Sequence, residues 1–301
     1  MAVAPDVPSS SLPETPAARR ARAFWQGLKE LTRNPFGAVG LVIVVLFFLS
    51  ALFAPYLTPY DPYALDVPSR LARPSFEHLL GTDQLGRDTF TRVLYGGRIA
   101  MQLALVAVTA ALVIGLVLGM IAGYGPRWLD SILILVFDTL RSFPTIIMGL
   151  AIVAVTQPSL TVIMVIFVLH AAPAFGRIAR TQTMALKNTE FILAEKSLGA
   201  RTPLVLTRHM MPNVLGPLLI LAAMDVPVVV TVEAGLSFLG LGIQPPTASW
   251  GGILKEGYSV LRETPWLVIA GGMPLVLTTL GFTFLGEALR DSFDPKLREA
   301  R

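Results

Sequence analysis

The sequence predicts an all-α membrane protein of about six transmembrane helices. Three observations carry that expectation. Apolar residues make up 53% of the 301-residue chain and charged residues only 15%, and the mean hydropathy of +0.65 lies far above that of a soluble domain. The apolar residues gather into runs long enough to cross about 30 Å of hydrocarbon at roughly 1.5 Å per residue. Lys and Arg concentrate in alternate connections, as the positive-inside rule requires. The 25 Gly and 23 Pro mostly sit within or beside the apolar runs, where packed transmembrane helices tolerate them.

Residues 1–36 are Pro-rich and polar, then basic (Arg19, Arg20, Arg22, Lys29, Arg33), and read as a flexible cytoplasmic tail. The first span, Gly37 to Leu57, is longer and starts later than the apolar core of a cleaved signal peptide. Further spans are expected near Ile99–Gly123, Ser131–Val155, Ser159–Phe175, Val214–Leu241 and Trp266–Leu289. His170 and Pro173 interrupt the end of the fourth, which leaves the count open by one. The organisation is therefore a tail (1–36), a first span with an extracytoplasmic segment (37–98), a transmembrane domain (99–289) with a cytoplasmic loop at 188–212, and a C-terminal tail (290–301). With the N-terminus inside, sixteen Lys and Arg fall on inside segments and seven outside, leaving Arg141 within a span. Both termini are expected in the cytoplasm of a cell bounded by this membrane.

Several chemistries find no support. Basic residues are scattered rather than gathered on one face, so nucleic acid is not implied. The chain has no Cys, and its three His (His78, His170, His209) show no metal-ligand spacing. No cofactor is expected in the chain itself. There is no nucleophile and base pair for a membrane-embedded hydrolase, and no Gly-x-x-x-x-Gly-Lys-Ser/Thr phosphate loop, so the chain is not expected to be an enzyme.

In the second span Ala107, Ala111, Gly115, Gly119 and Gly123 recur every four residues. They form a stripe of small side chains where backbones can approach, which favours packing within the chain over a subunit interface. Asp138 and Arg141 lie three apart on the third span, within reach of one another on a helical face. Charge inside a membrane raises a functional role beside the plainer one of mutual neutralisation. Asp225 lies about eleven residues, or roughly 16 Å, past the inner end of the fifth span, near the midplane. It is a candidate to line a passage and meet a solute's ammonium group, and equally a candidate partner for Arg141. Glu233 is expected near the outer end at an interfacial position. Outside, Gly81–Asp88 lacks the ligand spacing of a calcium loop and reads as an ordered cap or helix lead-in. Pro245 to Gly251 reads as a turn, with Trp250 anchored at headgroup level.

The longest inside connection contains a predicted helix from Asn188 to Ala200. Asn188 or Thr189 suits its N-cap, Glu190 its positive end, and Gly199 a left-handed C-terminal stop. Thr202 and Pro203 read as the N-cap and first position of a second helical stretch that stops or kinks near Pro212. By composition alone the unit suits a protein groove and a membrane surface equally.

AlaGlu at 194 and 195, Gly199, and MetProAsn at 211–213 resemble the EAA loop of bacterial ABC importer permeases, with the Gly-to-Pro spacing of thirteen kept. Leu193, Glu195 and Met211 depart from the motif's Glu, second Ala and Leu. From about Asn34 to Arg298 the chain also resembles the C-type permease subunit of dipeptide and oligopeptide ABC importers. The matching stretches are GlyThrAspGlnLeuGlyArgAsp at 81–88, GlyGlyArg at 96–98, SerPheLeuGlyLeuGly at 237–242, ProPro at 245–246, SerTrpGly at 249–251, and AlaLeuArgAspSerPheAspProLysLeuArg at 288–298.

That resemblance implies a type I importer permease fold in the bacterial inner membrane, with Glu190, Ala194, Glu195, Gly199, Ala200, Met211 and Pro212 in a coupling element resting in a cleft of an ATPase. It further implies a second, B-type permease subunit, two cytoplasmic ATP-binding subunits that hold ATP and Mg, an extracytoplasmic substrate-binding protein, and surrounding lipid. Members of the subfamily carry dipeptides, longer peptides, glutathione or nickel chelates, and the sequence does not choose among them. The contrasting expectation is an ATP-independent secondary transporter or channel, against which stand the few spans, no evident inverted repeat and the structured inner loop. A receptor of similar build stays open.

Overall fold

The computed structural model describes residues 31–293. The basic cluster from Arg19 to Lys29 and the tail beyond residue 293 lie outside the described residues. Nine helices of eight or more residues, considering the described residues alone, form the framework: α1 Pro35–Leu52, α2 Thr89–Tyr124, α3 Arg127–Ser142, α4 Thr145–Val155, α5 Leu160–Lys187, α6 Glu190–Ser197, α7 Thr202–Phe238, α8 Trp250–Ser259 and α9 Trp266–Phe293. Five of them, α1, α2, α5, α7 and α9, are each long and apolar enough to cross a membrane, and α3 with α4 make a sixth, bent crossing.

The helix starts follow local chemistry. Asn34 accepts from the Phe36 amide and Pro35 occupies the first turn of α1, where a missing N–H costs nothing. Asp88, Ser159 and Ser249 cap α2, α5 and α8 in the same way.

Three expectations about the spans change. The third is bent by 89° between α3 and α4. Phe143, ahead of Pro144, is extended at φ −86°, ψ 126°, because the proline ring excludes the helical region for the residue before it. The fourth does not end near Phe175: α5 runs through Pro173 to Lys187, held by burial of Ile166, Phe167, Phe175 and Ala179. The helical stretch from Thr202, expected to stop or kink near Pro212, does not stop there but runs on into the fifth span. A π turn at Val205–Met210 precedes the proline and the helix continues to Phe238, absorbing the hydrogen bond that Pro212 cannot donate. Its N-cap is Arg201 rather than Thr202.

The core seam is α2 on α5, built by the stripe of small residues. A Cβ at Gly119 would stand 2.2 Å from the Gly176 carbonyl oxygen, and one at Gly115 would be 2.4 Å from Phe175 Cβ. The stripe therefore serves packing within the chain. Helix α9 packs on α1, α7 and α8, and α7 also meets α2 and α5, so α7 stands centrally.

One end of the bundle carries an ordered cap made by residues 58–88. Its Gly81 and Gly86 take φ values of 70° and 76°. A Cβ at Gly86 would lie 1.7 Å from the Asp66 carbonyl oxygen, so only glycine serves there. The cap leads directly into α2, which starts ten residues before the expected Ile99.

Candidate functional site

The 188–212 connection folds as two helices meeting at Gly199. Thr189 stands at the N-cap position of α6 with its hydroxyl donating to the Leu186 carbonyl rather than capping the helix, Glu190 lies in the first turn and Leu198 ends it. Gly199 has φ 85°, its N–H donates to the Lys196 carbonyl, and the Ala200 N–H donates to the Glu195 carbonyl. These two bonds are the Schellman ending, which satisfies carbonyls the helix would otherwise leave bare.

Helix α6 is anchored to the bundle at few points. Ile192 is fully buried. Glu195 lies 3.4 Å from His209 on α7, and Lys196 Nζ stands 4.9 Å above the Tyr124 ring at the end of α2. Lys187 approaches the same ring and donates to the Tyr124 carbonyl at 2.7 Å. Phe191, Leu193 and Leu198 instead point outward, Leu198 being 87% exposed. Glu190, Ala194, Gly199, Met211 and Pro212 are also exposed, while Glu195 and Ala200 are half-buried. Five of the seven predicted coupling residues are thus exposed, and Glu195 and Ala200 are partly covered.

The charged residues of the spans are arranged differently from expectation. Asp138 pairs with Arg177 on α5, not with Arg141. Arg141 makes no ion pair among the described residues. It lies within electrostatic range of Asp225 on α7 and His170 on α5. Asp225 is half-buried. Of the two partners weighed for Arg141, Asp138 is taken by Arg177. His170, read from the sequence as an interruption of the fourth span without metal-ligand spacing, has its Nδ1 buried without a hydrogen-bond partner among the described residues. An ionisable residue inside an apolar run was the signal that could have found it.

At the opposite end of the 28-residue α-helical stretch Met211–Phe238, about 40 Å away, lie the other motif residues. Trp250 is not a headgroup anchor. It is 4% exposed, its indole N–H donates to the Val93 carbonyl at 2.9 Å, and its ring occupies the space a Cβ at Gly96 would need, 2.8 Å from Trp250 Cδ1. The GlyGlyArg and SerTrpGly stretches are thus two halves of one contact; the expected turn is present at Pro245 and Pro246, and α8 starts at Trp250. Glu233 is likewise buried rather than interfacial. It accepts from Ser237 Oγ at 2.6 Å, while Ser237 accepts from the Ile243 amide.

The buried Asp83, Arg87 and Arg92 and the half-buried Glu256 form an ionic quartet that joins the cap, α2 and α8. Arg87 Nε is 2.6 Å from Asp83, and both arginines reach Glu256, at 3.2 and 3.1 Å. Sequence spacing could not show it, because Glu256 lies 169 positions from Arg87.

Residues 115–299 match the family described as the binding-protein-dependent transport system inner membrane component. Residues 23–74 match the N-terminal TM domain of oligopeptide transport permease C. The chain is 40% identical over 274 residues to the dipeptide transport system permease protein DppC of Alkalihalophilus pseudofirmus, covering 91% of this chain and 90% of that protein. It is 34% identical to the oligopeptide transport system permease protein OppC of Bacillus subtilis, covering 94% and 93%. It is 36% identical to the glutathione transport system permease protein GsiD of Pectobacterium atrosepticum, covering 92% and 91%. In fold it resembles the inward-facing MetNI methionine ABC transporter, with a TM-score of 0.55 and 18% identity over 67% of this chain and 97% of that one.

Proposed function

This chain belongs to the family of binding-protein-dependent transport system inner-membrane components, and from that premise we propose that it forms half of a passage for di- or oligopeptides, driven through its 188–212 loop by separate ATP-binding subunits. It is a multi-pass membrane protein and a permease subunit of an ATP-driven importer. The peptide cargo rests on the dipeptide and oligopeptide permeases it resembles. The partners follow from the same likeness: a second permease subunit, two ATPases holding ATP and Mg, and an extracytoplasmic binding protein. Sixteen basic residues against seven support cytoplasmic termini.

The observation that carries the coupling role is α6 itself. A short helix that buries Ile192 yet turns Phe191, Leu193 and Leu198 outward has the form of an amphipathic plug for a groove in a partner. Its ties to Tyr124 of α2 and His209 of α7 connect a push on α6 to two long helices. Gly199→Pro tests the role, because proline cannot take the φ of 85° found there. ATP-driven uptake by the reconstituted transporter is expected to fall to background with insertion and subunit assembly unchanged. Uptake at the wild-type rate would refute the docking role. Ion-gradient uptake by this chain alone in liposomes would overturn the ATP-driven reading as a whole.

Asp225 and Arg141 form the charged part of the proposed passage. Asp225→Asn is expected to abolish uptake while assembly stays normal. Recovery on adding Arg141→Gln would assign the pair to mutual neutralisation and remove Asp225 from the passage.

A further inference from the structure

A cavity of about 350 Å³ opens on the side of the bundle between α1, the first turns of α2 and α9, with Trp250 of α8 and Leu80 of the cap completing its wall. Phe47, Leu94, Trp250 and Ala270 form its inner wall and are all buried. Leu46, Ile269, Met273 and Leu277 form its mouth and are all exposed. Neither the 188–212 loop nor Asp225 borders it.

The wall offers water too few partners and suits hydrocarbon. No charged side chain lines it, and its hydroxyls are those of Ser50 and Thr278. Ser50 Oγ donates to the Phe47 carbonyl at 2.9 Å, and the Trp250 indole N–H is taken by the Val93 carbonyl. A water held in such a space needs roughly two to four polar partners, and packed interiors leave few voids larger than a water. Gly97 helps to keep the space open. A Cβ there would meet Trp250 Cζ2 and Ala51 Cβ only at 3.5 and 3.6 Å, so close packing does not require a glycine at that position as it does at Gly96.

Shape and position match one leaflet of a bilayer. From Ile269 to Thr278 the cavity follows α9 for about 14 Å at ~1.5 Å per residue, close to half of the ~30 Å hydrocarbon core. It lies in the cap-side half, since Ile269 is in the first turn of α9 and Leu80 of the cap borders it. Its volume equals about twelve water-sized groups at ~30 Å³ each, and a methylene is of about that size.

The mouth continues an interface that the fold already defines. Helix α1 packs on α9 and on the start of α2, and it uses its small residues there: a Cβ at Gly40 would stand 2.7 Å from the Leu285 nitrogen of α9. What α1 turns outward is bulky and apolar, as at Val39, Val42, Leu46 and Leu49. Contacts between transmembrane helices favour small residues, so this face of a multi-pass protein is its contact with lipid. Leu46 belongs both to that face and to the mouth.

We propose that this cavity binds one acyl chain of a bilayer phospholipid from the cap-side leaflet, seated between α1 and α9 beneath the cap. The site holds the chain rather than the headgroup, because its wall carries no charge. It does not depend on which solute the transporter carries.

The test uses the complete transporter in nanodiscs of phosphatidylcholine that include a phosphatidylcholine with a diazirine near the middle of one acyl chain. After photolysis the labelled residues are mapped by peptide mass spectrometry. Insertion is expected at Phe47, Leu94 or Ala270, which a chain reaches only from inside the cavity, and at the exposed Val276, which lies outside it. Ser50→Leu combined with Ala270→Leu fills the space and should abolish labelling at Phe47 and Leu94, with Val276 labelled as before. Labelling of Val276 with none at the three buried residues would overturn the proposal, as would an unchanged pattern in the filled variant. Labelling of the buried residues in this chain reconstituted alone, but not in the complete transporter, would assign the cavity to a partner subunit's helix and also overturn it. The unsubstituted protein decides the matter if the double variant does not assemble. ATP-driven peptide uptake by the same preparation tests the importer reading separately, and that reading stands whichever way the labelling falls.

Discussion

Replacing Gly119 by Ala adds one methyl group at the tightest point of the α2–α5 seam, and its effect can be worked from the coordinates. The new carbon would lie 2.2 Å from the Gly176 carbonyl oxygen, 2.6 Å from Ala179 Cβ and 3.0 Å from the Arg180 nitrogen. Ordinary contacts lie near 3.5 Å, so the helices must part by roughly 1 Å. Backbone atoms cannot rotate away as a side-chain tip can. A gap of that size forfeits a quarter to a half of each dispersion contact along the seam, and overpacking of this kind costs about 2–3 kcal/mol. Alanine's better helix propensity returns up to about 1 kcal/mol, leaving a net loss of roughly 2 kcal/mol. Gly235 on α7 supplies the contrast, since a Cβ there meets nothing within 4 Å. Gly235→Ala is expected to stabilise by about 0.5–1 kcal/mol. The unfolding midpoints of the purified chains in detergent, followed by tryptophan fluorescence against denaturant, give both signs. A Gly119→Ala protein as stable as wild type, or a Gly235→Ala protein destabilised as much as Gly119→Ala, would refute the packing argument.

The same midpoint assay bears on two buried groups. Trp250→Phe should cost about 1 kcal/mol, the worth of the bond to the Val93 carbonyl, and Trp250→Ala about 3–5 kcal/mol through the cavity left over Gly96. Glu233→Gln retains an acceptor for Ser237 and is expected to change stability by less than about 1 kcal/mol, whereas Glu233→Leu strands the Ser237 hydroxyl at a cost of about 1–3 kcal/mol. At the proposed coupling loop, Gly199→Ala meets no neighbour within 4 Å and bears only the left-handed strain of about 1–2 kcal/mol. Uptake by that variant should therefore stay well above that of Gly199→Pro, and equal loss in the two would show that the conformation at Gly199 is not what matters.

Some of this was legible because it depends on neighbours in the chain. Gly199 reads as a helix stop since only glycine takes its backbone conformation without strain, and the four-residue spacing of Gly115, Gly119 and Gly123 places them on one face whatever they touch. Apolar runs located the spans because crossing hydrocarbon is a matter of length and composition. Pro144 was a local signal too, but the run from Ser131 to Val155 is apolar enough on average to read as one span, and hydropathy is blind to an 89° bend. Pro173 and Pro212 misled in the other direction, because burial along α5 and one π turn in α7 outweigh a single missing hydrogen bond.

Pairings across helices were another matter. Asp138 was given a partner three residues away and found one thirty-nine residues away. Trp250 looked like a residue for the membrane interface until Gly96 and Gly97 made room for its ring. Asp83, Arg87 and Arg92 are buried charges that become tolerable only when Glu256 joins them from another element. By itself, then, the sequence determined which segments are helices that can cross a membrane, where the inner loop turns, and which residues share a helical face, for all of these follow from backbone sterics and local periodicity. Only the tertiary structure decided which face meets which. That choice is made by the summed packing and charge satisfaction of residues tens to hundreds of positions apart, a quantity that no local pattern contains.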